Sequence, residues 1–100
     1  MESRKPTEKE IEILTILYEK AETVLDKLPV QVESLNDAGM GSLNLVSGRV
    51  PTLFGRIGSE HQVNDVDGVL VLFSLYLDQF ETPYEMDVFK SDLSPTLLLS

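Results

Sequence analysis

Two carboxylates near the end of the chain are the first candidates for chemistry. Glu85 and Asp87 lie two positions apart in the alternating segment Tyr84–Lys90, so in a β-strand both side chains point to the same face. Paired carboxylates serve hydrolases when one is kept protonated and the other is ionised. The sequence shows no second pair, nucleophile or positioned base to complete such a site. An exposed or partner-facing strand surface is therefore the favoured interpretation.

His61 is the only histidine of the chain. No cysteine and no acidic pair at ligand spacing accompanies it, which favours a strand or loop position over a catalytic base or a metal ligand. An alternative function, a small enzyme or a ligand-binding domain, would use His61 together with Glu85 and Asp87. That alternative predicts a deep pocket that holds these side chains.

The acidic turn Asn64–Gly68 resembles part of a calcium-binding loop. With Gly68 in the glycine position of an EF-hand, the loop would begin at Val63 and end at Ser74. Neither residue provides the carboxylate that those positions require, and the flanking segments read as strands. The pattern is that of a turn. We therefore expect no catalytic residue, no metal site and no cofactor.

Aromatic residues accompany the two carboxylates. Tyr76 and Phe89 share the expected strand face with Glu85 and Asp87. Rings beside acidic groups suit a protein interface, where rings fill pockets and carboxylates meet basic residues. The same rings could instead pack beneath the C-terminal tail, or under the helix if the register differs by one residue. Both readings stay open. The predicted partner-binding residues are Tyr76, Glu85, Asp87 and Phe89.

The charge of the chain restricts its partners. The net charge is −9, with six Lys and Arg against nine Asp and Glu in residues 1–50, and two against eight in residues 51–100. Such a surface repels phosphate, so neither nucleic acid nor an anionic membrane is an expected partner. A basic protein partner is favoured, because complementary fields speed encounter. An acidic surface that only maintains solubility is nevertheless the more common explanation of such a charge.

Length and composition indicate one soluble domain over residues 1–100. A chain of 100 residues with 42% hydrophobic residues can form a packed core without disulfides, and it has no cysteine to form them. The N-terminal segment lacks the apolar run of a signal peptide, and no segment approaches the length of a membrane span. We expect a cytoplasmic protein, either a monomer or a homodimer.

The chain begins with a helix and continues as strands. Thr7 and Glu10 form a capping-box pattern, and apolar positions at steps of three and four predict a helix over about 7–27, before Pro29. Alternation and turn residues predict strands within the rest of the chain, in a sheet over about 30–99. The expected strands are Val30–Leu35, Leu43–Val46, one within Leu53–Val63, Val69–Leu77, Tyr84–Lys90 and a short edge strand near the C-terminus.

The last two long strands form a hairpin with a defined register. If Leu77 pairs with Tyr84, then Tyr76 lies opposite Glu85, and the next pairs follow along the strands. The fold class is therefore α+β, with the N-terminal helix on one face of a four- to five-stranded, mostly antiparallel meander. The helix covers one face, and the carboxylates and rings lie on the other.

Three blocks of the sequence resemble the signature of a family of small, acidic, uncharacterised bacterial proteins. That family tends to read D-G-G-M-G-S-L, D-x-D-G-V-x-V and E-L-D-V-W-K-x-D-F-S-P in this order. The matching blocks, within a resemblance from Arg4 to Pro95, are Asp37–Leu43, Asp65–Val71 and Glu85–Pro95. The chain departs from the family pattern at Ala38, Phe89 and Leu93.

The resemblance implies no activity. In size, acidity and architecture the family is similar to immunity proteins, which neutralise a bacterial toxin by binding it, and this similarity is an analogy of fold. Our leading hypothesis is a non-catalytic protein-binding domain, of which an immunity-type inhibitor of a basic toxin is one form. The alternatives are the small enzyme described above and a homodimer assembled through exposed apolar positions.

Overall fold

The computed structural model describes residues 3–23, 28–45 and 53–100. One helix and six strands follow one another along these residues. They are β1 (Ser3–Arg4), α1 (Glu8–Lys20), β2 (Val32–Ser34), β3 (Leu43–Asn44), β4 (Phe54–Asn64), β5 (Leu70–Asp78) and β6 (Pro83–Lys90). The architecture is α+β, as the sequence predicts.

Helix α1 begins at the predicted capping box. The Thr7 hydroxyl accepts a hydrogen bond from the backbone N–H of Glu10, and the Glu10 carboxylate accepts one from the backbone N–H of Thr7. The helix ends earlier than predicted, because Glu22 takes a left-handed conformation with φ of 59°. The N–H of Thr23 then bonds the carbonyl of Tyr18, as in a Schellman ending. Part of the predicted extension, residues 24–27, lies outside the described residues.

The strands form one antiparallel sheet in the order β1-β2-β3-β6-β5-β4. Strands β4, β5 and β6 are the predicted meander. The sheet has six strands and not four or five, because the two-residue strand Ser3–Arg4 adds to the edge beyond β2. The C-terminal residues form turns and not the predicted edge strand.

The register of the β5–β6 hairpin follows the prediction at all positions except its closed end. Tyr76 lies opposite Glu85, but Leu77 lies opposite Pro83 and not Tyr84. A β-bulge at this point leaves Tyr84 as an extra residue. Two further register shifts interrupt the pairing of β4 with β5, and each contains a glycine, Gly55 or Gly58.

The core lies between α1 and one face of the sheet. The helix contributes Leu14, Leu17 and Tyr18, which are almost fully buried. The sheet contributes the alternate residues of its central strands, which are Val71, Phe73, Leu75, Leu77, Met86 and Val88. Because alternate residues of a strand point to opposite faces, the residues between these lie on the face that α1 does not cover.

Candidate functional site

We call the sheet face away from α1 the open face. The register places residues from five strands on it. They are Glu33, Asn44, Phe54, Ile57, Glu60, Gln62, Leu72, Ser74, Tyr76, Tyr84, Glu85, Asp87 and Phe89. The four predicted partner-binding residues, Tyr76, Glu85, Asp87 and Phe89, therefore share one face.

The C-terminal tail does not cover this face. Leu98 and Leu99 pack against the core on the side of α1, and the Lys9 ammonium donates a hydrogen bond to the Ser100 carbonyl at 2.6 Å. Phe89 keeps 46% of its surface exposed. Of the two readings of the aromatic residues, packing beneath the tail is thus wrong.

Besides Asp78 at the end of β5, four carboxylates lie on the open face, and no Lys or Arg of the described ranges joins them. The acids are Glu33, Glu60, Glu85 and Asp87. The six described cations lie elsewhere, on the helix side, at the sheet edges or in the core, and they are Arg4, Lys5, Lys9, Lys20, Arg56 and Lys90. The negative charge of this face is therefore not neutralised by a described residue.

The central carboxylates have raised pKa values. Burial raises the pKa of Glu85, and the negative charge of Asp87 raises it further. Burial also raises the pKa of Asp87, as does the charge of Asp37, whereas the hydroxyls of Tyr76 and Ser42 act in the opposite direction. Both carboxylates would be stabilised by a cation placed against them.

Three rings form a group at one end of the open face. The Phe54 and Tyr76 rings meet edge to face with centroids 5.4 Å apart, and the Tyr76 and Tyr84 rings are tilted by 49° at 6.3 Å. We call these three residues the aromatic cluster. Within the cluster Phe54 is 57% exposed, and the neighbouring Ile57 is 45% exposed. The cluster adjoins Glu85 and offers rings and a carboxylate on one surface.

His61 does not belong to this site. It lies opposite Phe73, whose side chain points into the core, so it is on the other face of the sheet from Glu85 and Asp87. Its Nδ1 lies 3.2 Å from the Lys20 ammonium. Burial lowers the pKa of His61, and the positive charge of Lys20 lowers it further. The three residues of the enzymatic alternative are thus separated by the sheet.

Two clefts lined by described residues do not include these three side chains either. A cleft of about 400 Å³ lies beside the end of α1 and is lined by Glu22, Arg56 and Glu81 among others. A second, of about 280 Å³, is lined by Lys5, Pro6, Ile11, Pro29 and Val30. Within residues 3–23, 28–45 and 53–100, no group of three or more His, Asp or Glu side chains could hold a metal ion. No helix of these ranges is long and apolar enough to cross a membrane.

A buried ion cluster on the core side of the sheet gives the acidic turn its role. The Lys90 ammonium is fully buried and lies 2.8 Å from the Asp65 carboxylate and 2.7 Å from that of Asp67. It also donates a hydrogen bond to the Pro95 carbonyl. The sequence pattern predicts that these acids belong to a turn, and the turn is present with Gly68 at φ of 83°. Sequence reasoning missed the lysine that binds them.

Asp65 joins this cluster to the C-terminal tail. Its two oxygens accept hydrogen bonds from the backbone N–H groups of Val66, Leu97 and Leu98 at 2.7 to 2.8 Å. Burial alone would raise the pKa of Asp65, but the bonds from Lys90 and from these N–H groups outweigh it and lower the pKa to about 2.

The first sequence block reaches the same tail. Asp37 holds its turn by accepting from the N–H groups of Gly41 and Ser42, and the Gly39 carbonyl accepts from the N–H of Thr96. A Cβ at Gly39 would stand 3.2 Å from Pro95. All three sequence blocks therefore meet around the tail, and most of their residues serve the fold and not the open face.

Sequence reasoning missed several residues of the open face. Phe54, Ile57, Tyr84, Glu33 and Glu60 were not predicted to belong to it. Gly55 and Gly58 could have indicated Phe54 and Ile57, because glycines within a strand often mark bulges. They do not determine how β4 pairs with its neighbour after each bulge.

Comparison with known proteins identifies a family and no activity. Residues 3–100 match the family described as Domain of unknown function (DUF6984). No curated protein and no solved structure matches the chain. Because the match covers almost the whole chain, the protein belongs to the DUF6984 family.

Proposed function

We propose that this protein is a non-catalytic protein-binding domain that holds a basic partner on its open face. One observation carries the proposal. Four carboxylates lie with exposed rings on a sheet face that neither α1 nor the C-terminal tail covers, and no described cation neutralises them. Glu85 and Asp87 have raised pKa values, so a partner cation at this place would relieve an existing repulsion.

The composition of the face agrees with this function. Interfaces are enriched in Tyr and Phe, and contacts at their centre are largely desolvated. Tyr76 and Tyr84 are half-buried beside the two central carboxylates, whereas Phe54 and Phe89 are exposed at the two ends of the face. The centre of the face can therefore exclude water from a charged contact while the ends supply apolar area.

The finer form of the proposal is an immunity-type inhibitor. Such a protein would act in the bacterial cytoplasm and would neutralise a toxin more basic than itself by covering part of its surface. The acidic face would steer the encounter, so that association is fast and depends on salt. A toxin encoded by a neighbouring reading frame would be the first partner to test.

The decisive experiment compares two charge reversals of equal size. A partner recovered from the source cell is titrated with the wild-type protein, with E85K/D87K on the open face, and with E12K/E19K. Glu12 and Glu19 are exposed on α1, so this control changes the net charge equally. We expect E85K/D87K to weaken binding about tenfold or more, as for close charge pairs in other interfaces, and E12K/E19K to change it little.

Three results would argue against the proposal. Unchanged affinity of E85K/D87K removes the open face from the function. Equal weakening by both variants shows that only net charge matters. Light scattering that detects a dimer, together with loss of that dimer in E85K/D87K, would show that the face binds a second copy of the chain. Circular dichroism of both variants establishes that each is folded.

A further inference from the structure

We infer that the aromatic cluster of Phe54, Tyr76 and Tyr84, with Glu85 beside it, is a binding site for an arginine side chain of the protein partner. This inference rests on the proposed function and states which chemical group of the partner the open face recognises. Arginine fits because its planar guanidinium stacks on aromatic rings and bonds a carboxylate through two N–H groups.

Two bulges of β4 bring residues to the cluster that a regular strand would separate. Phe54 and Ile57 are three positions apart, so in a regular strand they would point to opposite faces. The register shift at Gly55 places Phe54 opposite Asp78 and Ile57 opposite Tyr76, both on the open face. Only glycine fits, since a Cβ at this position would collide with the Asp78 carbonyl oxygen.

The second shift returns β4 to its normal phase. It lies at Gly58, where a Cβ would meet the Leu77 side chain at 2.9 Å. After it, Ser59 lies opposite Leu75 and its hydroxyl donates to the Leu17 carbonyl on the helix side. The strand is therefore irregular only where it passes the cluster.

The third bulge supplies Tyr84 to the cluster. Because Pro83 lies opposite Leu77 and Glu85 lies opposite Tyr76, Tyr84 is the extra residue between them. The centroids of the Tyr84 and Tyr76 rings are 6.3 Å apart. Tyr84 and Glu85 therefore lie on the same face of the sheet although they are neighbours in sequence. Bulges that redirect side chains are common beside functional sites.

The electrostatics of the cluster favour a cation. Burial raises the pKa of Tyr76, and the charges of Asp87 and Glu85 raise it further. Burial likewise raises the pKa of Tyr84, followed by the charges of Glu85 and Asp78. The rings therefore lie in a negative field that no described Lys or Arg neutralises, and the ring faces themselves attract cations.

The test uses two peptides of equal charge. Acetyl-(Arg)4-amide and acetyl-(Lys)4-amide are titrated into ¹⁵N-labelled protein, and amide shifts of β4, β5 and β6 are followed by NMR. We expect the arginine peptide to bind about two- to fivefold more tightly, the range that one exposed cation–π contact provides. The double variant Y76L/Y84L should abolish this preference, Y84F should retain most of it, and F89L, on the same face outside the cluster, should retain all of it.

The outcomes separate this inference from the proposed function. Equal affinity for both peptides, or an arginine preference that survives in Y76L/Y84L, overturns the arginine site but leaves the acidic face intact. Loss of partner binding in E85K/D87K tests the proposed function, and it does not depend on the peptides.

Discussion

The substitution D65N is the sharpest test of how the tail is held. The Asp65 side chain is fully buried and accepts four hydrogen bonds, from Lys90 and from the N–H groups of Val66, Leu97 and Leu98. Asparagine keeps the size of the side chain but replaces one acceptor oxygen with an NH₂ donor. That donor must face an ammonium or a backbone N–H, and Lys90 loses one of its two carboxylates.

The expected cost follows from this geometry. Removing one partner of a buried ion pair costs about 3–5 kcal/mol. Asp67 still compensates part of the Lys90 charge in D65N, so we expect a cost near the lower end of this range. The total free energy of unfolding of a natural domain is about 5–15 kcal/mol. At about 4–8 °C per kcal/mol, the melting temperature of D65N should fall by at least about 12 °C.

The matched control is D67N. The Asp67 side chain is 37% exposed, and its contact with the Val69 N–H can be made by asparagine as well. Loss of the ion pair between Asp67 and Lys90 should lower the free energy of unfolding by only about 1 kcal/mol, since a partly exposed ion pair is weak. Urea denaturation followed by circular dichroism at pH 7 measures both. If D65N stays within 1 kcal/mol of the wild type, or if D67N costs as much as D65N, the assignment of Asp65 as the centre of the cluster is wrong.

The pH dependence provides an independent check. The pKa of Asp65 in the folded protein is lowered from 3.8 to about 2. Its contribution to stability is therefore complete above the unfolded-state pKa near 4 and is lost as the pH falls towards 2. The difference in stability between wild type and D65N should narrow over this interval. A difference that stays constant from pH 5 to pH 2 would contradict the lowered pKa.

Three further variants test other parts of the structure. T7A removes the cap that bonds the N–H of Glu10 and should cost about 1 kcal/mol in a urea titration; no change would mean that α1 does not depend on its capping box. G55A should destabilise the domain and shift the amide signals of β4, because its Cβ would collide with the Asp78 carbonyl. E85Q should raise the melting temperature at pH 7, since the pKa of Glu85 is raised by burial and by a neighbouring carboxylate. The folded state binds the proton more tightly, so the gain should shrink as the pH falls below the raised pKa and vanish below the ordinary pKa of a glutamate.

The sequence predicts those parts of the fold that have a periodic or local residue pattern. Alternation in β5 and β6 is long enough to define both faces. The predicted pairing of Tyr76 with Glu85 is confirmed, although the pair of Leu77 with Tyr84 from which it was derived is replaced by a bulge. The capping box gives the start of α1 for the same reason, because it is a local pattern. The end of α1 is different. Glu22 adopts a positive φ with no glycine to mark it, and only the packed structure determines that turn.

The missed elements are those that depend on distant contacts. Ser3–Arg4 was not predicted, because it is a strand only through its pairing with β2 and two residues are too few to show an alternation. The open face shows the same limit. Glu85 and Asp87 could be placed on it by alternation, but Phe54 and Tyr84 reach it through bulges, which change the phase by one residue and leave the composition of the strand unchanged.

The two acidic centres of the protein argue against an acidic surface that serves solubility alone. On the core side, Asp65 and Asp67 face a buried lysine, and the pKa of Asp65 is lowered. On the open face, Glu85 and Asp87 lie half-buried among rings, without a described cation, and their pKa values are raised. Carboxylates that only keep a protein in solution need neither burial nor proximity, because full hydration serves that purpose at lower cost. A surface that holds two carboxylates in an unfavourable environment is stabilised by the arrival of a positive charge, which is the property that a receptor for a basic partner requires.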